Sequence, residues 1–135
     1  MALVNTVNTV GVMGKGIALQ FKAAFPHNFG VYKKACRDGE LTIGQLLTVW
    51  DSNLLYGERL IINFPTKTHW RLPSEYAYVE SGLAALRALI EVRRLTSLAM
   101  PAPGCGNGGL QWVVVKDMIE RQLAALDCSL TIYEP

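Results

Sequence analysis

The stretch "IINFPTKTHWR", residues 61–71, joins an apolar strand to a run of polar and aromatic side chains. The segment "RLIINF" at 59–64 is nearly all apolar, which predicts a strand in the interior of a sheet. Lys67 follows closely on the end of that strand. Buried strands seldom end on so many polar groups without a use for them, so we expect a functional site at this edge of the sheet.

Strands and helices are predicted to alternate outward from this stretch. Further strands are expected at 2–4, 46–50, 97–100 and 129–133. Helices are expected at 17–25, from Pro26 to Gly39, after Ser74 as a capping residue, and at 112–126. The first helix is expected to carry Ile17, Phe21, Ala24 and Phe25 on one face. The long third helix is expected to bury Val79, Leu83, Leu86 and Ile90. This order predicts an α/β fold with helices on both faces of a largely parallel sheet.

The composition indicates one globular domain over 135 residues. Half of the residues are hydrophobic and 18% are charged, which excludes a disordered tail. No apolar run reaches the roughly 18 residues of a membrane span. A net charge of +2 is too small to indicate nucleic-acid binding by itself. The three cysteines have neither zinc-ligand spacing nor a disulfide framework, so we expect a reducing cytoplasm.

A first glycine-rich loop is predicted within "NTVNTVGVMGKG", residues 5–16, between a strand and a helix. Glycine lets the backbone approach an anion closely, and a helix start adds free N–H groups. The glycine spacing is too short for a P-loop, and Gly16 stands where Ser or Thr would hold magnesium. ATP hydrolysis is therefore not expected.

A second glycine-rich loop follows the strand at 97–100. Gly104, Gly106 and Gly109 match G-x-G-x-x-G, and Glu134 ends the next strand, which is formally a dinucleotide fingerprint. An NAD-binding Rossmann-like module is therefore one alternative, and a tight turn that needs glycine is another. Two such loops on one sheet indicate a ligand whose diphosphate is clamped between them, with a sugar at either end.

Three motifs in this order resemble the macrodomain family: "LVNTVNTVGVMGKGIALQFK", "INFPTKTHWR" and "PGCGNGGLQW". The resemblance covers nearly the whole chain and is strongest to the DarG branch of DNA ADP-ribosyl glycohydrolase antitoxins, which is related to the terminal ADP-ribose glycohydrolases. It implies a three-layer α/β/α fold with a central mixed, largely parallel sheet that binds ADP-ribose across its strand ends without a cofactor or metal.

The resemblance also implies an activity and partners. The expected activity releases ADP-ribose from a thymine base in single-stranded DNA and so reverses the modification made by a DNA ADP-ribosyltransferase toxin, DarT. The alternatives are an ADP-ribose reader without turnover and an enzyme that removes ADP-ribose from acidic protein side chains. We expect a monomer with no membrane contact.

By this resemblance, Lys67 matches the lysine on which glycohydrolase activity depends. Asn5 and Asn8 are expected near the distal ribose, the first loop over that ribose and the phosphates, the second loop on the diphosphate, and Tyr133 on the adenine. The expected substrate-binding residues are Asn5, Asn8, Gly11, Val12, Met13, Gly14, Gly16, Ile17, Thr66, Trp70, Arg71, Gly104, Cys105, Gly106, Asn107, Gly108, Gly109 and Tyr133.

The chain departs from the family pattern in two places. The first strands of the family, with the acidic residue that recognises the adenine amino group, would precede Met1, so we expect residues 1–135 to be an N-terminally trimmed macrodomain. A related mammalian enzyme has an aspartate in the second loop, where this chain has Asn107, Gly108 and Gly109. No carboxylate is evident as the acid or base.

Several roles remain open for Lys67 and for the segment His69–Arg71. As a neutral amine Lys67 can attack the anomeric carbon, as an ammonium it can protonate the departing base, and it can also simply pair with a phosphate. His69 would point to the same side in an extended segment and shuttle a proton, or else lie solvated in a loop. Trp70 can stack on an unpaired base beside Arg71, or pack against the long helix.

Overall fold

The computed structural model of the protein describes residues 1–135. The strands are β1 (Ala2–Asn8), β2 (Leu47–Asn53), β3 (Gly57–Lys67), β4 (Ser97–Pro101) and β5 (Ser129–Tyr133). The helices are α1 (Gly16–Ala24), α2 (Pro26–Arg37), α3 (Tyr76–Arg93) and α4 (Trp112–Leu123), and a 3₁₀ turn covers Gly106–Gly108.

The five strands form one mixed sheet in the order β2-β3-β1-β4-β5. β1 lies at its centre and runs parallel to both β3 and β4, β5 runs parallel to β4, and only the edge strand β2 is antiparallel. The predicted mixed, largely parallel sheet is therefore confirmed. Because the carboxyl ends of the four parallel strands share one edge, this topology brings the first loop, Lys67, the second loop and Tyr133 to the same edge.

The pairing of β1 with β3 is irregular at the end that carries the candidate site. Val7 pairs with Pro65, but the next residue, Asn8, pairs with Lys67, so Thr66 is an extra residue on β3. A bulge bends its strand locally and occurs often beside active sites. Here it sets Lys67 opposite the last residue of β1, where the first loop begins.

Two helical layers cover the sheet and each has its own apolar cluster. The larger cluster joins α3 and α4 to the sheet, and it contains the stripe predicted for the long helix, Val79, Leu83, Leu86 and Ile90. α3 approaches β3 so closely that a Cβ on Gly82 would collide with the Phe64 ring. The smaller cluster joins α2 to the start of the first loop and consists of Val7, Met13, Tyr32, Ala35 and Leu41.

The predicted end of the first strand was wrong. The segment 5–8 was expected in a loop because clusters of Asn, Thr and Gly are typical of loops and Asn is rare in strands, yet β1 continues to Asn8. Asn5 and Asn8 are both buried in the strand. Pairing with β3 along this whole length supplies backbone partners that outweigh the weak strand preference of these residues.

A further prediction, about a helix, was wrong. Ser74 does not cap α3, which begins two residues later after Glu75 and has no side-chain capping bond. Of the apolar face formed by Ile17, Phe21, Ala24 and Phe25, no residue within α1 is buried, and Ile17 is 38% exposed. Phe25, which follows the helix, is the only residue of that set in the interior.

No helix is both long and apolar enough to cross a membrane. The three cysteines are all free. No group of His, Cys, Asp and Glu side chains is arranged to hold a metal ion.

Candidate active site

The first loop, residues 9–15, is shaped by the side chain of Asn8. Asn8 Oδ1 accepts hydrogen bonds from the N–H groups of Val10 (3.1 Å) and Val12 (3.3 Å), and Asn8 Nδ2 donates to Val12 O at 2.8 Å. The Tyr32 hydroxyl closes the network by donating toward Asn8 O and Oδ1, each at 2.8 Å. Asn8 therefore holds the loop from beneath instead of presenting a free amide.

Asn5 lies one layer deeper than Asn8 and has no exposed surface. Its Nδ2 lies 3.5 Å from Asn63 Oδ1 and 3.8 Å from the sulfur of Met13, which the first loop places above it. Asn63 in turn exchanges side-chain hydrogen bonds with Asn28 of α2. Asn5 Oδ1 is buried without a partner. Asn5 and Met13 therefore lie under the first loop and support it from the side of the sheet.

The second loop, residues 102–111, needs glycine for two different reasons. A Cβ on Gly104 would lie 2.6 Å from Leu110 Cδ1, and one on Gly108 would lie 2.5 Å from Ser74 Oγ, so close packing requires glycine at both positions. Gly106 and Gly109 have positive φ angles of 70° and 83° and open space beside them. Their backbone is therefore free to approach a ligand.

Free backbone N–H groups are present on both loops. Those of Gly106, Asn107 and Gly108 make no hydrogen bond to another part of the backbone, and no side chain caps this turn. The amino end of α1 has no side-chain cap and no acidic residue in its first turn. Unpaired N–H groups at turns and helix starts are the usual donors to phosphate oxygens. Both loops can therefore bind an anion.

Lys67 lies where the two loops meet. A Cβ placed on Gly16 would be 3.7 Å from Asn107 Nδ2, so the loops approach each other there. The half-buried Lys67 donates from Nζ to Asn107 O at 3.1 Å and to Trp70 O at 3.4 Å. Thr9 N donates to Lys67 O at 3.1 Å, which ties the first loop to the same residue. Lys67 makes no ion pair with a carboxylate.

The half-buried His69 and the exposed Trp70 and Arg71 form a stack beside Lys67. The rings of His69 and Trp70 are 5.2 Å apart, and the Arg71 guanidinium lies 4.6 Å from the Trp70 ring centre. Trp70 is 44% exposed, so part of its surface is open to solvent. The segment also turns after β3 and does not stay extended. His69 Nδ1 accepts a hydrogen bond from Arg71 N at 3.1 Å, so only its other ring nitrogen is free.

The remaining predicted residues have varied surroundings. Tyr133 is 63% exposed at the end of β5, where it pairs with Pro101 just before the second loop. Thr66 is buried in the bulge. Cys105 is half-buried, and burial raises the pKa of its thiol, which disfavours a nucleophilic thiolate. Val12 and Ile17 expose apolar surface on the first loop and the start of α1.

Sequence reasoning missed two residues that support the loops. Ser74 is buried beneath the second loop, where its N–H donates to Gly108 O at 3.0 Å and its hydroxyl has no partner. Tyr76 holds the other end of that loop, because its hydroxyl accepts a hydrogen bond from Gln111 N at 3.1 Å. No local pattern connects residues about 35 positions apart. Asn63, which also supports the first loop through Asn5, could have been found from the sequence, because it is an amide side chain within an otherwise apolar strand.

A cavity of about 440 Å³ lies outside this site. It is lined by apolar and polar side chains around the end of α2 and the segment that leads into β2: Ala35, Glu40, Leu41, Gln45, Leu46 and Leu47. We place the functional site at the loops instead, because the free N–H groups and Lys67 converge there.

Comparison with known proteins agrees with this arrangement. The sequence profile of the Macro domain matches residues 4–119. The DNA ADP-ribosyl glycohydrolase of Thermus aquaticus is 54% identical over 135 residues, covering 99% of this chain and 37% of that protein. The chain thus spans well under half the length of that curated relative.

Two solved structures are also similar. The macrodomain of Mycobacterium tuberculosis DarG has 50% sequence identity and a TM-score of 0.94, with 99% of this chain and 88% of that chain covered. Thermosipho africanus DarTG in complex with ADP-ribose has 38% identity and a TM-score of 0.91, covering 99% of this chain and 38% of that chain. The matched profile and the shared fold establish that this chain belongs to the macrodomain family.

Proposed function

We propose that this domain binds ADP-ribose across its strand ends and hydrolyses the linkage between ADP-ribose and a thymine base in single-stranded DNA. Three findings support the proposal. The two loops offer free N–H groups to a diphosphate, a solved relative holds ADP-ribose, and the Thermus relative is a DNA ADP-ribosyl glycohydrolase. The position of Lys67 at the junction of the two loops is the observation that most supports an enzyme and not only a binding domain.

The diphosphate is assigned to the gap between the 3₁₀ turn at Gly106–Gly108 and the start of α1. The N–H groups of the turn point to no backbone acceptor, and the amino end of a helix adds a favourable dipole. The distal ribose is assigned between the first loop and Lys67, and the adenine toward Tyr133 at the end of β5. Apolar Val12 and Ile17 then flank the sugar and phosphates.

Lys67 is assigned the chemical step. Lys67 Nζ donates to the carbonyl oxygens of Asn107 and Trp70, which hold it at the junction of the loops. In hydrolysis the bond between the anomeric carbon and the base nitrogen breaks, water adds its hydroxyl to that carbon, and the leaving base takes a proton. An ammonium beside the ribose can supply that proton or stabilise the developing negative charge. Trapping with borohydride tests the alternative, a covalent Schiff base.

The DNA side of the substrate is assigned to the stack of His69, Trp70 and Arg71. An exposed aromatic ring and a guanidinium beside it can hold an unpaired base and its phosphate. A proton-shuttle role for His69 stays a prediction and depends on its free ring nitrogen. A DarT toxin as partner, a monomeric state and a cytoplasmic location belong to the same proposal, and the free cysteines are compatible with that location.

Substitution of Lys67 by alanine separates an enzyme from a reader. We expect Lys67→Ala to lower the release of ADP-ribose from modified DNA by about 10²–10⁴-fold, the usual contribution of a positioned proton donor. ADP-ribose affinity, measured by calorimetry, should change by less than about tenfold, because the loops provide most of the binding surface. Lys116→Ala is the matched control, since Lys116 is an exposed lysine of α4.

Two results would overturn parts of this proposal. Release that is unchanged in Lys67→Ala would remove Lys67 from the mechanism, and binding without any turnover in the unsubstituted protein would leave a reader. Calorimetry with ADP-ribose, NAD and ATP addresses the ligand. A clear preference for intact NAD over ADP-ribose would favour a dinucleotide-binding module instead.

A further inference from the structure

The small net charge of the chain conceals a marked asymmetry. Residues 1–37 contain five Lys and Arg residues and no Asp or Glu. All 11 acidic residues of the chain therefore lie after position 37, together with the remaining eight of its 13 basic residues. The net charge of +2 thus divides into +5 for the first segment and −3 for the rest. An uneven distribution of charge produces a local electrostatic field that can attract a charged partner even when the net charge of the chain is small.

The fold gathers these charges on one helical layer. Residues 1–37 include α1 and α2, which contact each other and cover one face of the sheet. Four exposed lysines on this layer and its adjoining loop have no ion-pair partner. We call them the basic surface: Lys15, Lys22, Lys33 and Lys34. Arg37 is set apart because it pairs with Asp38 at 3.5 Å.

The basic surface adjoins the mouth of the proposed active site. A Cβ on Gly11, in the first loop, would lie 3.7 Å from Lys33 Cγ. The same loop is tied to the strand that carries Lys67, since Thr9 Oγ1 donates to Thr68 O at 2.9 Å. Lys15 immediately precedes α1, next to Gly16, which faces Asn107 of the second loop. A strand of DNA that leaves the site on this side would meet lysines directly.

Interaction with the helix dipole accounts for only two of these four charges. Basic residues near the carboxyl end of a helix interact favourably with its dipole, which suits Lys34 in the last turn of α2 and Lys22 in the last turn of α1. Lys15 lies at the amino end of α1, where a cation is unfavourable. Neither helix has an acidic residue in its first turn. At the amino ends of α1 and α2, where the helix dipole favours acidic residues, the chain therefore has none, and it has Lys15 at the amino end of α1.

We propose that the basic surface binds the phosphate backbone of the DNA strand that carries the modified base. This inference rests on the proposed function and adds to it, because the stack at His69–Arg71 holds the base side and the basic surface holds the strand. Unpaired, exposed lysines suit phosphate contacts that carry no sequence information. The surface therefore provides affinity for single strands in general, and Lys67 provides the reaction.

The test compares two double variants with equal charge change. Lys33→Gln combined with Lys34→Gln removes two charges from the basic surface. Lys116→Gln combined with Arg121→Gln removes two exposed charges from α4, in the opposite helical layer. Glutamine forms helix about as well as lysine and arginine do, and thermal unfolding confirms that both variants are folded. Lys15 is left unchanged because it is part of the first loop.

Binding of an unmodified single-stranded oligonucleotide is measured over a series of salt concentrations. Each lysine that neutralises a phosphate of a single strand contributes about 0.7 to the salt slope, so the slope of the Lys33 and Lys34 variant should be smaller by about 1.4. Its affinity at low salt should fall about three- to tenfold. The α4 variant should match the unsubstituted protein. An unchanged slope in the first variant, or equal decreases in both, would overturn the proposal.

Turnover provides the second measurement. The ratio of kcat/KM for a modified oligonucleotide to kcat/KM for ADP-ribosylated thymidine should fall about three- to tenfold in the Lys33 and Lys34 variant alone. A decrease in kcat/KM that occurs only with ADP-ribosylated protein as substrate would contradict binding of DNA by the basic surface. If the unsubstituted protein released ADP-ribose from neither DNA substrate, the proposed function would fail, while the salt slopes would still decide the role of the basic surface.

Discussion

At the scale of single residues, Asn8 and Tyr32 determine how the first loop sits over the sheet. One amide satisfies three backbone groups of the loop, and one buried hydroxyl holds that amide. A buried polar network is stabilising only when its members are satisfied, and removal of one partner costs more than the bond itself. The shape of the ligand loop therefore depends on a phenol that has no exposed surface.

Replacement of Tyr32 tests this network through its pH dependence. Burial, and secondarily Cys36, raises the pKa of Tyr32 above its usual 10.0. The folded protein therefore keeps the phenol while the unfolded chain ionises, so stability is complete below about pH 10 and falls above it, by up to about 1.4 kcal/mol per pH unit. We expect urea unfolding of the unsubstituted protein to weaken more steeply above pH 10 than that of Tyr32→Phe.

Cys36 is present in both proteins, so its own ionisation largely cancels from the comparison. Tyr32→Phe should also be less stable at neutral pH by about 1–2 kcal/mol, because Asn8 loses a buried donor. Parallel curves above pH 10 would mean that Tyr32 ionises as easily in the folded protein as in the unfolded chain.

At the scale of elements, two glycines in helix interiors have opposite surroundings. Gly30 of α2 has nothing near the position of a Cβ, whereas Gly82 of α3 lies directly against the Phe64 ring of β3. Helix propensity favours alanine over glycine at both positions by about 0.5–1 kcal/mol. Packing disfavours alanine only at Gly82, where a Cβ would meet the Phe64 ring. Gly82 therefore sets the distance between α3 and the strand that ends in Lys67.

Alanine substitutions at these two positions should change stability in opposite directions. We expect Gly30→Ala to raise the free energy of unfolding by up to about 1 kcal/mol. Gly82→Ala should lower it by about 1–3 kcal/mol, since the ring or the helix must move. Denaturant unfolding measures both. A stabilising Gly82→Ala would show that α3 can shift away from the sheet without cost.

The elements differ in how far their sequence predicts them. The stripe of α3 was predicted correctly because its apolar spacing is regular and all of its residues face one cluster. The end of β1 was not predicted correctly, because Asn is rare in strands and the cluster of Asn, Thr and Gly is typical of a loop, whereas pairing with β3 extends the strand to Asn8. Ser74 has the sequence signature of a cap but is used under the second loop, which depends on its closeness to Gly108.

At the scale of the whole molecule, the candidate site joins parts that are distant in sequence. Lys67 and Asn107 are 40 residues apart, and their hydrogen bond follows from strands that end at one edge of the sheet. Sequence spacing placed each loop correctly between a strand and a helix. The meeting of the loops at Lys67 requires the strand order, which the sequence patterns do not contain, although the family resemblance implies it.

The two helical layers also differ in charge. The layer of α3 and α4 buries the larger apolar cluster, and its exposed surface carries two ion pairs, Arg87–Glu91 and Arg121–Asp117. The layer of α1 and α2 carries the unpaired lysines of the basic surface next to the first loop. The molecule therefore has one mainly structural face and one face suited to a polyanion.

Release of ADP-ribose from a modified DNA base is tested most directly by competition between two substrates. An oligonucleotide ADP-ribosylated on thymine and a protein ADP-ribosylated on glutamate are mixed with the unsubstituted domain, and free ADP-ribose from each is followed over time. We predict faster release from the oligonucleotide, and a decrease of about 10²–10⁴-fold in that rate in Lys67→Ala. Faster release from the protein, or a DNA rate unaffected by Lys67→Ala, would contradict the proposed function.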